Sequence, residues 1–340
     1  MPNWMRAAAF AVVCAPLIGY ASDTSPVAGH YRVVARIAGP DGPWDFASVD
    51  AGRHRLFVAR GAGVMMVDLA SNAVTPLFAP GDRVHAVLLL GGTGKLLSTN
   101  GNADTATIID EDSGAVEATI ATGSKPDAAA FDPSSGLVYV MNAKSGDVTI
   151  IDPKAKKSLG TIAIGGALEF AAIDGAGRMY VNVEDKGEIA VVDLAKKSVV
   201  ARFTLAGCES PSGLAYISPL HVLLAACANG VAKAIDARSG TEVASLAIGP
   251  RPDDVLYDER RALAFVPSGG DGTLTVIAVG DAKHISVLES VPTQKGARIG
   301  ALDPDSGRIY LPAAKYTPPA TPDARPSAIP GSFEILVVER

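Results

Sequence analysis

The feature that most constrains the fold is an internal repeat with a period near 42 residues. A short apolar run ending in aspartate recurs with spacings of 42, 42, 41 and 43 residues, at Asp68, Asp110, Asp152, Asp193 and Asp236. A second marker, two apolar runs separated by a turn, precedes each aspartate and recurs seven times along the chain. A period of this length is typical of proteins that stack one supersecondary unit many times.

One copy, residues 124–166, shows what the repeated unit is. It contains four short apolar runs, AAAF, LVYVM, VTIID and LGTIAI, separated by Pro-Ser-Ser-Gly, Lys-Ser-Gly-Asp and Pro-Lys-Ala-Lys. The separating segments have turn composition, and no run has the i, i+3, i+4 spacing of a helix. Each copy therefore predicts a four-stranded antiparallel sheet that buries its faces only by stacking on its neighbours.

The number of copies predicts an all-β, seven-bladed β-propeller of four-stranded antiparallel blades. Tyr31–Arg340 spans 310 residues, of which 16 are extra residues in the last copy, and the remaining 294 are seven times 42. Radial closure of such sheets leaves only short edges exposed. The last copy lacks an outer strand, whereas His30–Gly39 has the pattern of one. We therefore expect the N-terminal strand to close the last blade.

The N-terminus has the pattern of a secretory signal peptide, residues 1–21. Arg6 precedes the apolar run Ala7–Tyr20, and Gly19–Ala21 is a small-x-small cleavage site. The run is too short to span a bilayer, and no other run of eighteen apolar residues follows it. We expect a monomeric protein, periplasmic or secreted, with residues 22–340 forming a single propeller domain.

The chain resembles the YVTN-repeat, YncE-like β-propeller family. The resemblance lies in the repeat period, in the phrase VTIIDPKAKKSLGTIAIG, and in the Gly-x-x-Pro loops Gly123–Asp127 and Gly249–Asp253. Two loops, Arg83–His85 and Ala167–Glu169, lack the proline. The resemblance covers the whole mature chain and implies a periplasmic or surface-located seven-bladed propeller. It implies no particular reaction.

Composition and motifs argue against several function classes. The formal net charge is −6, and lysines and arginines are scattered, which disfavours a nucleic-acid partner. Gly91–Lys95 lacks the spacing of a phosphate-binding loop, and no Gly-x-Ser-x-Gly elbow occurs. The sequence predicts no cofactor.

One set of polar residues is expected at the mouth of the central channel. Loops that join one blade to the next, and those that join second to third strands, lie on one face of a propeller, called here the loop face. Counting back from the marker of each inner strand places seven residues there: Asp45, Ala86 with His85 beside it, Asp127, Glu169, Gly213, Asp253 and Arg298. The acids either cap local backbone amides or form a functional polar ring. A functional ring would suit Ca²⁺ or Mg²⁺, and Arg298 would suit an anionic ligand.

Two further features belong to the loop face. Cys208 and Cys227 are the cysteines left after cleavage, and an oxidising compartment favours a disulfide between them over two free thiols. The Pro-rich insertion, residues 315–331, joins the second and third strands of the last blade and is expected to be extended, as a lid or as a plain variable loop.

Two functions remain open on this basis. The first is a non-enzymatic, exported binding or scaffold protein whose protein, peptide or small-molecule ligand lies on the loop face around the channel. The second is a metal-dependent, lactonase-like hydrolase that uses the acidic residues of the channel mouth. Metal content of the mature protein would discriminate between them.

Overall fold

A computed structural model describes Met1, residues 29–318 and residues 326–340. From Tyr31 to Arg340 the chain forms seven antiparallel sheets of four strands each. The inner strands contact one another in a closed cycle, the last blade against the first. This confirms the predicted seven-bladed β-propeller. Residues 2–21 of the predicted signal peptide lie outside the described residues.

The first four blades follow the repeat in chain order. Blade 1 contains β2 (Trp44–Asp50), β3 (Arg55–Arg60), β4 (Gly63–Asp68) and β5 (Val74–Pro80). Blade 2 contains β6 (Val84–Leu89), β7 (Lys95–Asn100), β8 (Thr105–Asp110) and β9 (Val116–Ala121). Blade 3 contains β10 (Pro126–Asp132), β11 (Leu137–Asn142), β12 (Asp147–Asp152) and β13 (Lys157–Ala163). Blade 4 contains β14 (Leu168–Ile173), β15 (Arg178–Val183), β16 (Glu188–Asp193) and β17 (Ser198–Thr204).

Of the last three blades, the sixth and seventh have shortened inner strands. Blade 5 contains β18 (Pro211–Ile217), β19 (Val222–Cys227), β20 (Val231–Asp236) and β21 (Glu242–Ala247). Blade 6 contains β22 (Leu256–Asp258), β23 (Leu263–Ser268), β24 (Thr273–Ala278) and β25 (Ser286–Pro292). Blade 7 contains β26 (Ala301–Leu302), β27 (Ile309–Ala313), β28 (Glu334–Glu339) and β1 (Arg32–Ala38). The helices of the described ranges are two 3-10 turns, Glu184–Lys186 and Ser218–Leu220, and no helix there has the length and apolarity of a membrane span.

The N-terminal strand closes the ring, as predicted. β1 pairs antiparallel with β28, from Arg32 opposite Glu339 to Ala38 opposite Glu334. Ile37 points into the core of this blade and is buried, whereas Val34 on the same strand is exposed. Both ends of the chain therefore share one sheet, and opening the ring would break the β1–β28 ladder.

The core lies between blades and is densest around the second and third strands of each sheet. All six residues of Val222–Cys227 are buried, whereas Ile162 alone is buried in the outer strand Lys157–Ala163. Blades approach most closely where side chains are small. A Cβ on Gly213 would lie 2.4 Å from the backbone carbon of Asp254, so this position packs blade 5 directly on blade 6.

The predicted disulfide joins Cys208 and Cys227, whose Cα atoms are 5.4 Å apart. Cys227 lies opposite Pro211 at the loop-face end of blade 5, in the register that Asn142 occupies opposite Pro126 in blade 3. There the Asn142 amide donates hydrogen bonds to Asp147 and Thr149. In blade 5, a covalent link thus replaces an amide that organises the corresponding corner of blade 3.

Candidate functional site

A repeated irregularity of the inner strands builds the channel mouth. In blades 1 to 5 the pairing of inner and second strands shifts directly after its first residue pair, as between Pro126 and Ala129. Such bulges redirect side chains. In blade 6 an isolated bridge, Pro252 opposite Ser268, marks the same position. The residues that follow these first pairs, with Arg298 at the corresponding place in blade 7, are called the mouth ring: Asp45, His85, Asp127, Glu169, Ser212, Asp253 and Arg298.

This register changes one of the positions expected from the sequence. Counting back from the repeat marker placed Gly213 at the ring, but the pairing of Pro211 with Cys227 places Ser212 there. In blade 2 the sequence placed Ala86 at the ring with His85 beside it, and the pairing of Val84 with Asn100 selects His85. The Ser212 hydroxyl donates to the carbonyl of Pro252 at 2.9 Å, so it is engaged within the framework. The charged part of the ring therefore lies on the other six blades.

His85 lies between two carboxylates, those of Asp45 and Asp127, on one side of the mouth. Its Nδ1 lies 2.8 Å from an Asp45 oxygen and 3.5 Å from an Asp127 oxygen. The three side chains come from blades 1, 2 and 3, and His85 and Asp127 are buried. Lys125 Nζ lies 3.7 Å from the other Asp127 oxygen. Burial raises the pKa of the Asp127 carboxyl, with a further contribution from Asp45, while His85 opposes that rise.

Arg298 and Asp253 form an ion pair on the opposite side of the mouth. Arg298 Nε lies 2.9 Å from an Asp253 oxygen, and the Asp253 amide donates to the Arg298 carbonyl. Burial raises the pKa of Asp253 to about 7 in spite of this ion pair. The Asp253 side chain keeps 24% of its surface exposed, so water at the mouth screens part of that effect. Because Asp253 already pairs with Arg298, an external anion would have to compete with it.

Glu169 is the ring acid without a paired base among the described residues. Burial raises the pKa of its carboxyl to about 9, and repulsion from Asp127, Asp253 and Glu184 adds to the rise. Lys125 opposes the shift but does not offset it. At neutral pH, Glu169 therefore holds a proton that a nearby positive charge would displace. The mouth ring carries more acid than its own bases neutralise.

An aromatic contact spans the channel beneath the ring. Phe46 from blade 1 and Phe170 from blade 4 meet with centroids 5.3 Å apart, edge to face. Ala86, Ala128 and Ile299 from other blades belong to the same apolar cluster. The mouth ring is thus the rim of a shallow polar cup with an apolar floor.

The Pro-rich insertion begins at the edge of this cup. Its base is a short antiparallel pair in which Tyr316 lies opposite Ala328, and the Thr317 amide donates to the Ser327 carbonyl. The Tyr316 ring packs against Trp44 at a centroid distance of 6.5 Å. Residues 319–325 of the insertion lie outside the described ranges, so its extended conformation stays a prediction beyond this pair.

The ring offers ligands for a cation rather than a nucleophile–base pair. The Asp45, His85 and Asp127 ligand atoms all lie within 4.8 Å of one another, close enough to bind one metal ion. His85 Nδ1 faces carboxylates, and the one ring hydroxyl, that of Ser212, is bonded to a backbone carbonyl. Ser212, Lys125 and the Phe46–Phe170 floor were not expected from the sequence. Of these, only Lys125 could have been predicted from the sequence, because it is a basic residue two positions before Asp127.

Comparisons with known proteins identify the fold. No protein-family model matches the chain, and no curated protein matches its sequence. Among solved structures, a chain of the Mitotic Checkpoint Complex crystal structure aligns over 97% of this chain and 99% of its own, with a TM-score of 0.76 and 13% identity. The structure of U3-55K aligns over 90% of this chain and 98% of its own, with a TM-score of 0.73 and 14% identity.

A third structure extends the likeness to an enzyme. A chain of Kuenenia stuttgartiensis Hydrazine Synthase aligns over 80% of this chain and 93% of its own, with a TM-score of 0.67 and 16% identity. Sequence identities this low establish a shared fold and not a shared function, because one fold supports unrelated functions. The comparisons and the sheet topology therefore agree that the chain is a seven-bladed β-propeller.

Proposed function

We propose that this protein is an exported, non-enzymatic binding propeller that takes a cationic side chain of a protein or peptide partner at the mouth ring. The observation that carries the proposal is Glu169, a half-buried carboxyl that is repelled by the acids Asp127 and Asp253 and has no paired base among the described residues. A guanidinium or ammonium group placed there would stabilise the ionised carboxylates together. Charge-assisted hydrogen bonds of this kind are among the strongest in proteins.

The shape of the cup favours a single side chain as the ligand. The Phe46–Phe170 contact lies across the channel beneath the ring, so a short cationic group from outside meets the acids before it meets the aromatic floor. The flat arginine guanidinium pairs well with carboxylates and packs on aromatic rings, which suits a polar rim above an aromatic floor. A chain of the Mitotic Checkpoint Complex shares the architecture, and this likeness supports a scaffold role without specifying a partner.

We further propose that the chain belongs to the YVTN-repeat, YncE-like family and acts in the periplasm or outside the cell as a monomer. The repeat cadence and the Gly-x-x-Pro loops support the family, and the signal-peptide pattern supports export. The Cys208–Cys227 disulfide also supports export, because disulfides persist in oxidising compartments.

Calorimetric titration with N-acetyl-arginine amide tests the binding function, with the citrulline derivative as its neutral counterpart. We expect the arginine derivative to bind, the citrulline derivative to bind at least about tenfold more weakly, and Glu169→Gln to lose the difference. Glu209→Gln removes the same charge at an exposed position away from the mouth ring and should leave binding unchanged. Equal binding of the two derivatives, or equal losses in the two variants, would contradict the proposal.

A metal-dependent hydrolase is the second candidate, and the Asp45–His85–Asp127 group favours it. These residues would hold the metal, which would polarise a carbonyl and activate a water. The histidine nitrogen favours Zn²⁺ or Mn²⁺ over the Ca²⁺ or Mg²⁺ expected from carboxylates alone. Metal analysis of the purified protein tests this candidate. Stoichiometric divalent metal that is removed by chelator and lost in Asp127→Ala would support the hydrolase, whereas metal-free protein that binds the arginine probe would eliminate it.

A further inference from the structure

A second cavity lies in the channel on the far side of the Phe46–Phe170 floor. It has a volume of about 450 Å³, within the range of small-molecule sites, and aromatic and aliphatic side chains form most of its wall. It continues into an outer chamber of about 480 Å³, with which it shares Leu88 and Tyr257. The outer chamber reaches turns between first and second strands, such as Pro133 and Gly175, so it opens on the face opposite the mouth ring. The two chambers together are called the turn-face cavity.

Among the residues that the structure describes, Asp254 is the one charged residue in the wall of the inner chamber. It is 4% exposed, and burial raises the pKa of its carboxyl to about 7. The Val255 amide donates to one carboxyl oxygen at 2.8 Å and the Gly300 amide to the other at 3.3 Å. These amides hold the carboxyl at the seam between blades 6 and 7. Each oxygen keeps a lone pair for a further donor.

The opening of the turn-face cavity is acidic as well. Asp174 and Glu259 belong to the wall of the outer chamber, and no lysine, arginine or histidine does among the described residues. Carboxylates at the entrance attract cations and repel anions, and the field is focused by the low-dielectric walls behind them. The aromatic residues Phe170, Tyr216 and Tyr257 belong to the wall of this path, and aromatic rings are favourable surfaces for an organic cation.

We propose that the turn-face cavity binds a small amphipathic amine, with its ammonium group on Asp254 and its apolar body against Phe170 and Tyr257. This site is separate from the mouth ring and takes a free small molecule rather than a side chain of a partner. The apolar body of the amine would cover the aromatic wall and exclude water from it. The ammonium group would donate a further hydrogen bond to the Asp254 carboxyl. An anion or a neutral polar molecule would lack the positive charge that pairs with Asp254.

Titration of the full chain with 2-phenylethylamine, and with 2-phenylethanol as the uncharged counterpart, tests the proposal. We expect the amine to bind at least about tenfold more tightly than the alcohol, since one charge-assisted contact accounts for that ratio. Asp254→Asn keeps an acceptor for the Gly300 amide but removes the charge, and should weaken amine binding about tenfold or more. Leu88→Trp fills the junction of the two chambers and should abolish binding of both compounds.

Glu209→Gln is the control, because it removes one carboxyl charge at an exposed position outside the wall of the cavity. It should leave amine affinity within about twofold of the wild type, while Glu169→Gln should behave likewise. Amine binding that survives Asp254→Asn and Leu88→Trp but is lost in Glu169→Gln would assign the amine to the mouth ring and overturn this inference. Equal affinities for amine and alcohol, or no binding of either at millimolar concentration, would also overturn it. If Asp254→Asn does not fold, Leu88→Trp and the amine-to-alcohol ratio decide the matter.

Discussion

Phe46 and Phe170 meet across the centre of the propeller, with ring centroids 5.3 Å apart, although they belong to blades 1 and 4. The contact joins two sheets that do not adjoin in the ring of blades. It divides the channel into the polar cup of the mouth ring and the turn-face cavity. The two compartments therefore present different chemistry to opposite sides of one molecule.

We predict that Phe46 and Phe170 stabilise the propeller cooperatively. In a double-mutant cycle of Phe46→Ala and Phe170→Ala, urea unfolding should show a coupling free energy of about 0.5–1.5 kcal/mol, the usual range for an edge-to-face pair. The pair Phe57–Phe78, at 5.5 Å within blade 1, serves as a matched comparison. Strictly additive losses for Phe46 and Phe170 would mean that the floor does not act as a unit.

We predict that Glu169 makes the stability of the protein fall as pH rises. Its folded-state pKa is raised to about 9 from an ordinary value of 4.5, so the folded state holds a proton that the unfolded state has released between these values. Stability is therefore highest below about pH 4.5 and is lost progressively as the pH rises to about 9. Below pH 4.5 both states hold the proton, so Glu169 adds no pH dependence there. Glu169→Gln should melt at a higher temperature than the wild type at about pH 8 and at nearly the same temperature at about pH 4.

The exposed Glu209 provides the control for this pH dependence. Glu209→Gln removes the same charge away from the mouth ring and should show no comparable difference between about pH 4 and pH 8. If Glu169→Gln is instead destabilised at about pH 8 and not at about pH 4, the ionised Glu169 carboxylate stabilises the fold, and the predicted loss of stability with rising pH is wrong.

The sequence was sufficient for the architecture because the repeat period, the turns and the alternating strands all specify the same unit. It was less informative at the channel, where the bulge after Pro211 moves the ring position of blade 5 from Gly213 to Ser212. The Phe46–Phe170 contact depends on ring closure and has no local signal. The raised pKa of Glu169 likewise depends on desolvation and on acids from other blades, which no spacing along the chain encodes.

We predict that the Cys208–Cys227 disulfide contributes about 3 kcal/mol to the free energy of unfolding, because it closes a 19-residue loop in the unfolded chain. The double variant Cys208→Ser, Cys227→Ser should unfold at a lower urea concentration than the oxidised wild type. Wild type under reducing conditions should match the variant. Two free thiols in the denatured, unreduced protein would contradict the assignment.

We predict that β1 holds the ring closed through its buried side chain. Ile37→Asp places a charge in the core of blade 7 and should lower the melting temperature and expose the β28 edge, with aggregation visible by size-exclusion chromatography. Val34→Asp lies on the same strand at an exposed position and should have little effect. Equal behaviour of the two variants would argue against closure by this strand.

The proposed function depends on one event, the ionisation of Glu169 when a cation binds at the mouth ring. We would titrate N-acetyl-arginine amide into the protein at about pH 7 by calorimetry in two buffers of different ionisation enthalpy, which gives the number of protons exchanged on binding. We expect net proton release, because a carboxyl with a pKa of about 9 ionises when a positive charge is placed beside it. The release should persist in Glu209→Gln and largely disappear in Glu169→Gln. Binding without proton release, or with proton uptake, would contradict cation recognition by Glu169.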